Sequence, residues 1–426
     1  MRAFIAAVVC LLLACSRGDD ATVLTISGSA VGKEGEVLTR QIRRFMAAHP
    51  GLTVRIHETP DDATQRHQLY VQWLNARVGS PDVLQLDVVW TAEFAAAGWI
   101  LPLDRFRPDG RDFFPAALDA CRWRGSLFAV PWFVDVGMLY WRTDLLDRAP
   151  RTLDELNAAA SATMQRERIP AGIVWQGARY EGLVTVFNEI LGAHGGTILN
   201  PDGRVAVHSE AGVRALTFLR DQVRRGIAPR EVLTWHEEEC RFAFQNGNAL
   251  FMRNWPYAVA AMSEKSESRV AGRFGVAPMP AATGSRPTST PGRPTATLGG
   301  APLAINAWSR QPERAWQLVA FLTAPEQMLE RAQIVGQYPA RLSVYGDAAL
   351  AAALPVAPEE VRRIIEAAVA RPATPVWAEL SSELQVGLHR ALTGAAEPRA
   401  ALTEAASRMQ RLLDESGLSA KGAARP

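Results

Sequence analysis

Segments with strand-like and helix-like patterns alternate through residues 22–86, and this order constrains the fold more than any other feature of the chain. Residues 36–48 place apolar side chains at helical spacing, and residues 52–58 alternate between apolar and polar. The patterns predict strands at 22–27, 52–58 and 83–86, and helices at 36–48 and 64–78. Such alternation is typical of an α/β domain with a mostly parallel sheet.

The rest of the chain continues in the same way. Thr152 and Glu155 have the spacing of a capping box that opens a helix. The patterns further predict helices at 210–225, from 312 to about 322 and onward from 325 and from 398, a surface loop at 281–294, and a frayed tail at 419–426.

Composition excludes several classes of protein. The chain has 426 residues, which is enough for about two to three domains. Hydrophobic residues make up 48% and charged residues 21%, which is typical of a globular protein. The net charge is only +2, so no polyanion surface is indicated and a nucleic-acid partner is not expected. No apolar run reaches the roughly 18 residues of a membrane span, so a polytopic membrane protein is excluded.

The N-terminus has the pattern of an export signal. Arg2 precedes an apolar run at 4–14 that is too short to span a bilayer. The run ends in Leu12-Leu13-Ala14-Cys15, which resembles a bacterial lipobox and predicts a signal peptide at 1–14 with Cys15 as the lipidated residue. A plain secretory signal with an incidental cysteine is the alternative. Both interpretations predict an exported protein, and an acyl anchor would hold it to a membrane surface.

Catalytic and metal-binding motifs are incomplete. Residues 28–33 resemble a P-loop, but the spacing is one residue short and Glu34 replaces the required hydroxyl. His236 to Cys240 begins like a zincin helix but lacks the second histidine, so a charged helix face is expected there. The 7 histidines have no ligand spacing. We therefore predict no metal, no cofactor and no catalytic residues.

Tryptophan residues beside acids carry the strongest functional signal. Of the 12 tryptophans, several lie in predicted loops after strands, within three residues of an acidic, amide or glycine residue: Trp90, Trp132, Trp175 and Trp255. A pyranose ring stacks its apolar face on an indole, and its hydroxyls bond to carboxylates, amides and guanidinium groups. Most tryptophans in proteins fill cores, and the helical patterns around Trp73, Trp99, Trp308 and Trp316 predict that role for these four.

Eight short stretches, in order along nearly the whole mature chain, carry a family resemblance. Three of them are Val130-Pro131-Trp132-Phe133-Val134-Asp135, Arg253-Asn254-Trp255-Pro256-Tyr257 and Thr297-Leu298-Gly299-Gly300; the others lie at 62–66, 81–87, 175–183, 275–280 and 381–385. With these stretches the chain resembles the extracellular solute-binding components of ABC sugar importers, specifically the trehalose/maltose-binding group.

The resemblance implies a two-lobe α/β periplasmic-binding-protein fold with a ligand cleft between the lobes and crossover strands as a hinge. One lobe would comprise residues 21–135 plus 300–338, and the other 138–297 plus 341–418. Cys121 and Cys240 would then lie in different lobes, so we expect two free, buried thiols. The resemblance also implies a monomer outside the cytoplasmic membrane, with a small-molecule sugar and the permease subunits of an ABC importer as partners.

The resemblance further implies a set of sugar-binding positions. They are Arg66, Asp87, Phe133, Asp135, Tyr180, Glu181, Trp255, Tyr257, Gly300, Ala301, Arg341 and a glutamate that is either Glu34 or Glu36. Trp255 is the expected stacking platform. Phe133 and Ala301 depart from the tyrosine and tryptophan that relatives often carry, which removes a hydroxyl and a stacking face.

Two other functions remain open at this stage. An exported glycoside hydrolase could use a pair of carboxylates among Asp87, Asp135 and Glu181, provided that they lie about 5–10 Å apart. Alternatively, the same fold could bind an oligosaccharide, a polyol or another solute. A glucose-containing disaccharide such as trehalose or maltose is the favoured ligand, and we predict a binding protein rather than an enzyme.

Overall fold

The computed structural model describes residues 22–28, 32–283 and 295–418. The strands within these ranges are β1 Thr22–Gly28, β2 Leu52–Glu58, β3 Val83–Gln85, β4 Arg122–Trp123, β5 Ser126–Leu127, β6 Ala129–Val136, β7 Met138–Arg142, β8 Ala171–Val174, β9 Ala249–Asn254, β10 Phe274–Pro278, β11 Leu298–Ile305 and β12 Tyr338–Pro339. The predicted signal peptide, Cys15, most of the loop at 281–294 and the tail at 419–426 lie outside the described residues.

The helices separate and flank these strands. They are α1 Gly32–Ala48, α2 Ala63–Asn75, α3 Thr91–Ala96, α4 Pro115–Asp119, α5 Leu153–Glu167, α6 Glu181–Ala193, α7 Glu210–Arg224, α8 Glu237–Gln245, α9 Ala258–Met262, α10 Pro312–Leu322, α11 Pro325–Val335, α12 Ala348–Ala353, α13 Pro358–Glu366, α14 Trp377–Leu392 and α15 Pro398–Glu415. Short 3-10 helices occupy Asp104–Phe106, Arg230–Thr234 and Leu342–Gly346.

Two sheets organise the chain. The six-stranded sheet has the order β12-β6-β11-β3-β1-β2, and the four-stranded sheet has the order β10-β7-β9-β8. Only Gly137 separates β6 of the first sheet from β7 of the second. The chain returns to the first sheet through β11, which pairs with β6 from Leu298–Val136 to Ala304–Ala129. Adjacent strands β6 and β11 therefore carry the chain between the two sheets.

The prediction of a mostly parallel sheet is confirmed for β1, β2 and β3, the strands of residues 22–86, and is wrong for the rest of the six-stranded sheet. Among the strands of the described residues, parallel pairing joins β1 with β2, β1 with β3 and β8 with β9. The strands that connect the sheets pair antiparallel, because β6 leaves the first sheet and β11 returns to it; the short edge strand β12 also pairs antiparallel with β6. Strand direction depends on these long connections, which hydrophobic periodicity does not report.

Local sequence signals locate most element boundaries well. β2 and α10 have the predicted bounds, whereas α1 begins four residues earlier than predicted, at Gly32 rather than residue 36. At α5, the Thr152 hydroxyl accepts a hydrogen bond from the Glu155 amide at 3.1 Å. The Glu155 carboxylate accepts from the amide of Arg151 rather than of Thr152, so the predicted capping box is half formed.

A continuous hydrophobic cluster runs through both sheets. Cys121 and Cys240 are free and buried within it, which confirms the prediction of two unpaired thiols. The four tryptophans predicted to be core, Trp73, Trp99, Trp308 and Trp316, pack against this cluster while remaining partly exposed. In the part of the chain that the structure describes, no helix combines the length and apolar character needed to cross a bilayer.

Candidate functional site

The crossover strands bring the backbone of β11 against Asp135. Gly299 pairs with Asp135, Gly300 with Val134, and Ala301 with Phe133. Gly300 has a φ of +108°, and a side chain there would overlap the Phe133 carbonyl. Glycine is required at this position because an L side chain rarely adopts such a backbone conformation. Ala301 is buried at 5% exposure.

Asp135 is a buried acid without a full set of hydrogen bonds. Its Oδ1 atom has no hydrogen-bond partner among the described residues. Burial, and then the negative charge of Glu34, raise the pKa of Asp135 to about 8, while Arg331 and Arg253 oppose the shift. A buried acceptor without a partner is unfavourable. A ligand hydroxyl would satisfy it.

Arg371 joins two of the predicted site acids. Its Nη2 lies 3.0 Å from Asp87 Oδ1, and its Nη1 lies 2.6 Å from Glu181 Oε1. The Arg371 side chain is only 2% exposed. The Trp377 indole donates to Glu181 Oε1 at 3.1 Å, and the Ser381 hydroxyl donates to Glu181 Oε2. Burial raises the pKa of Glu181, and Arg371 opposes this shift.

Glu34 lies at the first turn of α1 and is held from the loop before β12. Gln337 Nε2 donates to Glu34 Oε1 at 2.9 Å, and Gln337 Oε1 accepts from Arg331 Nε at 3.0 Å. Burial raises the pKa of Glu34, with Arg331 as the largest opposing influence. Glu36 is exposed. Of the two glutamates, Glu34 is therefore the one that is partly buried and whose charge acts on Asp135.

The aromatic residues of the site are fixed by the start of α8. Tyr180 donates to Glu237 Oε2 at 2.7 Å, and the Trp255 indole donates to Glu237 Oε1 at 3.2 Å. Tyr257 donates to Glu238 Oε1 at 2.7 Å. Residues 236–240 were predicted to form a charged, exposed helix face. Glu237 departs from this prediction, because it is half-buried and accepts hydrogen bonds from both Tyr180 and Trp255.

One face of Trp255 is covered by a guanidinium group. Arg253 lies 3.9 Å over the indole ring and forms a buried ion pair with Glu189. The ring edge faces Gly299, where a side chain would come within 3.1 Å of the indole. Trp255 remains partly exposed. The uncovered face can serve as the stacking platform for a sugar ring.

The remaining predicted residues have different surroundings. Arg66 donates to the Pro60 carbonyl at 2.9 Å, and its buried Nε has no partner within the described ranges. Phe133 is 7% exposed. Arg341 donates to the Thr323 carbonyl at 2.7 Å and pairs with Asp112 at 3.3 Å. The structure therefore ties Arg341 to a separate cluster and does not bring it together with the site acids.

Contacts across the gap between the two sheets surround the site. His236, ahead of α8, lies 3.2 Å from Asp62 at the start of α2. Lys33 in α1 donates to the Ala260 carbonyl in α9 at 3.2 Å. Together with the pairing of Arg371 to Asp87, these contacts place the site in a closed seam between the two halves of the molecule.

Residues 29–329 match the family model of the bacterial extracellular solute-binding proteins. The chain belongs to this family. The solute-binding protein is 34% identical over 407 residues to a probable ABC transporter-binding protein of Deinococcus radiodurans, with 92% of this chain and 94% of the relative covered.

Solved structures extend the comparison. The maltose-bound MalE3 of T. maritima has a TM-score of 0.86 and 40% identity, with 92% of this chain and 100% of that chain covered. A solute-binding protein from Thermotoga lettingae bound with α-D-tagatose has a TM-score of 0.82 at 24% identity, over 92% of this chain and 100% of that one, and so is similar in fold alone. These matches confirm the predicted two-lobe fold.

Family membership also decides between binding and catalysis. The family consists of extracellular solute-binding proteins, so the glycoside hydrolase alternative is wrong and the protein is not an enzyme. The same membership places the solute-binding protein outside the cytoplasm. Among the described residues, no group of three or more His, Cys, Asp or Glu side chains is arranged to hold a metal ion.

Sequence reasoning missed four residues that contact the predicted residues of the candidate site. They are Glu237, Arg331, Gln337 and Arg371. Glu237 could have been found from the acidic run that follows His236. Arg371 stands in the proline-containing segment between α13 and α14, where no local pattern indicates that it is buried between two acids.

Proposed function

We propose that this solute-binding protein captures a glucose-containing disaccharide such as trehalose or maltose outside the cytoplasmic membrane and delivers it to the permease subunits of an ABC importer. Residues 21–135 plus 300–338 would form one lobe and 138–297 plus 341–418 the other, with the sugar held between them. The signal peptide at 1–14, the lipid anchor at Cys15 and the monomeric state are parts of the same proposal.

The observation that carries the proposal is a group of buried polar atoms that lack partners within the described protein. Of the eleven such atoms in the described residues, six belong to residues of the candidate site or to their neighbours: Arg66 Nε, Trp132 Nε1, Asp135 Oδ1, Arg331 Nη1, Tyr338 Oη and Arg371 Nε. Most native buried polar groups are hydrogen-bonded. Donors and an acceptor beside the partly exposed indole of Trp255 suit a ligand with many hydroxyls and an apolar ring face.

The resemblance to a maltose-bound protein supports the choice of sugar. MalE3 shares 40% identity over 92% of this chain, which is above the level at which only the fold is comparable. The carboxylates of Asp87 and Glu181 would accept hydroxyl hydrogen bonds while Arg371 keeps both acids paired. An acid accepting from hydroxyls forms stronger bonds than a neutral acceptor.

A panel of sugars tests the proposal through thermal unfolding. A ligand that binds only the folded state raises its stability by about 2.7 kcal/mol at 100 times the dissociation constant. We expect trehalose or maltose to raise the melting temperature of the wild type. In the Asp87→Ala variant, calorimetry should show an affinity for the same sugar that is weaker by roughly 10- to 150-fold. A panel in which no glucose disaccharide shifts the transition contradicts the proposed ligand.

The raised pKa of Asp135 predicts that sugar affinity depends on pH. Below about pH 8 the carboxyl is protonated before a ligand binds, whereas sugar hydroxyls donate best to the ionised form. Binding therefore releases a proton, and affinity rises as the pH increases from 6 to 8. Calorimetry in two buffers of different ionisation enthalpy measures the proton release. Asp135→Asn should remove most of this pH dependence, and equal slopes for both proteins would contradict the assignment.

An oligosaccharide is the second candidate. A cavity of about 220 Å³ adjoins the site and is lined by residues that include Lys33, Pro256, Gly336 and Tyr338. The small side chain of Ala301 stands where relatives of the trehalose/maltose group often have an indole. Both features favour a longer sugar. If an oligosaccharide is the ligand, maltotriose in the same panel should raise the melting temperature more than maltose does.

A further inference from the structure

Arg331 is a buried cation with no acid at ion-pair distance among the residues that the structure describes. Arg331 lies in the second half of α11 and is 1% exposed. Its guanidinium lies 3.9 Å over the Trp132 ring. Nε donates to Gln337 Oε1 at 3.0 Å, while Nη1 has no partner among the described residues. A charge buried in this way is unfavourable unless opposite charges nearby compensate for the loss of hydration.

Gln337 connects Arg331 to the predicted sugar-binding acid Glu34. Its amide oxygen accepts from Arg331, and its amide nitrogen donates to Glu34 Oε1 at 2.9 Å. The two hydrogen bonds fix which way the Gln337 amide faces, because reversing it would set donor against donor and acceptor against acceptor. Glu34 therefore presents its second carboxylate oxygen, Oε2, for other contacts.

We propose that Arg331 and Gln337 are positioning residues of the sugar site: Gln337 orients Glu34, and Arg331 supplies the positive charge that balances Glu34 and Asp135. The affinity measurement that tests this role rests on the proposed sugar-binding function. The stability measurement does not, because it needs no ligand.

The surrounding charges support this role. Burial lowers the pKa of Arg331 to about 10, and the attraction of Glu34 and Asp135 opposes that shift. The other charged groups that act on Glu34 or Asp135 are Asp61, Arg66, Asp87, Glu238 and Arg253, and the Tyr140 and Tyr338 phenols also face Asp135. For both Glu34 and Asp135, Arg331 is the largest influence that favours the ionised form.

Removing the charge should change pH dependence in a defined direction. Glu34 and Asp135 have raised pKa values in the folded protein, so the folded state binds more protons than the unfolded state above pH 5 and stability falls as pH rises. Arg331→Met raises both pKa values further. Its free energy of unfolding should therefore continue to fall to a higher pH than that of the wild type, which gives a steeper slope near about pH 8–9, and its sugar affinity should reach half its maximum at a higher pH.

Three variants and one control separate positioning from a purely structural role. Gln337→Met keeps the charge of Arg331 and should weaken sugar affinity roughly tenfold with the wild-type pH profile. Arg331→Lys should restore the wild-type pH profile while its affinity stays reduced, because lysine lacks the planar fork. Arg44→Met breaks the exposed pairing of α1 with Glu330 in α11 and should leave both affinity and pH slope unchanged.

The outcomes are distinct. An Arg331→Met protein with the wild-type slope of stability against pH overturns the charge role, and unchanged affinity in Gln337→Met overturns the orienting role. If Arg331→Met does not fold, Arg331→Lys and Gln337→Met still test both roles. A wild type that binds no sugar contradicts the proposed function alone, because the stability slopes need no ligand.

Discussion

Replacing Arg371 with methionine should lower the free energy of unfolding by about 3–5 kcal/mol, since it leaves two acids in the interior without their shared counter-charge. Arg371 is 2% exposed, and its partners Asp87 and Glu181 are 17% and 11% exposed. Burial alone would lower the pKa of the guanidinium, and the two acids together raise it, which reflects a net attraction in the folded protein. Urea unfolding monitored by circular dichroism measures the loss.

Arg362→Met is the matched control for Arg371→Met. Arg362 pairs with Glu366 on the exposed surface of α13, five residues before the segment that carries Arg371, and such a pair contributes only about 0.3–0.5 kcal/mol. The loss of stability in Arg371→Lys should lie between the losses in Arg371→Met and Arg362→Met. A lysine keeps the positive charge, but it lacks the two guanidinium nitrogens that contact Asp87 and Glu181 separately. Similar losses for Arg371→Met and Arg362→Met would contradict the structural role assigned to Arg371.

The effect of Arg371 on ligand binding should accompany its effect on stability. Arg371 connects Asp87, which follows β3 in the six-stranded sheet, to Glu181 at the start of α6 beside the four-stranded sheet. Without this link each acid loses its orientation, so sugar affinity should fall at least as much as in Asp87→Ala. Calorimetry on folded Arg371→Met at low temperature separates this loss from unfolding.

The bounds of individual helices and strands were predicted from the sequence better than the way in which the strands pair. Apolar alternation and proline positions are local signals, so the bounds of β2 were predictable to the residue, and those of α10 were predicted as 312 to about 322. The direction of β6, β11 and β12 depends on connections that span the whole chain, and the expected mostly parallel sheet is wrong for these strands for that reason. The two-lobe fold came from the resemblance, not from periodicity.

The site was predictable to the extent that its residues stand in recognisable stretches. Asp87, Asp135, Glu181 and Trp255 each lie in such a stretch, and the structure surrounds each with charged or aromatic partners. Arg341 was implied by the family resemblance although it lies in none of these stretches, and the structure pairs it with Asp112. Burial decides which charged residues can share a site, and burial is a property of the assembled fold.

Breaking the ion pair between Arg253 and Glu189 should be as damaging as the loss of Arg371. The two side chains are 1% and 0% exposed, and Arg253 Nε donates to Glu189 Oε2 at 2.9 Å. Gln176 Oε1 accepts from Arg253 Nη1 at 3.2 Å, and Glu189 Oε1 accepts from the Thr297 amide just before β11 at 3.4 Å. Gly137 packs so closely on this pair that a side chain would overlap Glu189. The pair therefore fixes the chain crossings at Gly137 and at Thr297.

Arg253→Met should lower the free energy of unfolding by about 3–5 kcal/mol, because Glu189 is left as a buried, unpaired acid. Glu189→Leu should have a similar effect through Arg253. The double variant should be markedly more stable than the sum of the two losses predicts, because it removes both charges together and leaves an apolar contact. Denaturant unfolding of the four proteins completes the double-mutant cycle, and additive losses would mean that the pair is not coupled.

The double variant also isolates what Arg253 does for the sugar site. Its fold is largely restored, yet Trp255 no longer has a guanidinium 3.9 Å from its covered face. A cation over an indole contributes about 0.5–2 kcal/mol, and that contribution holds the ring in place for stacking from the opposite side. Sugar affinity should therefore remain several-fold below wild type in the double variant even where stability has recovered. Wild-type affinity in that protein would show that Trp255 needs no support from Arg253, and that the ion pair serves the chain crossings alone.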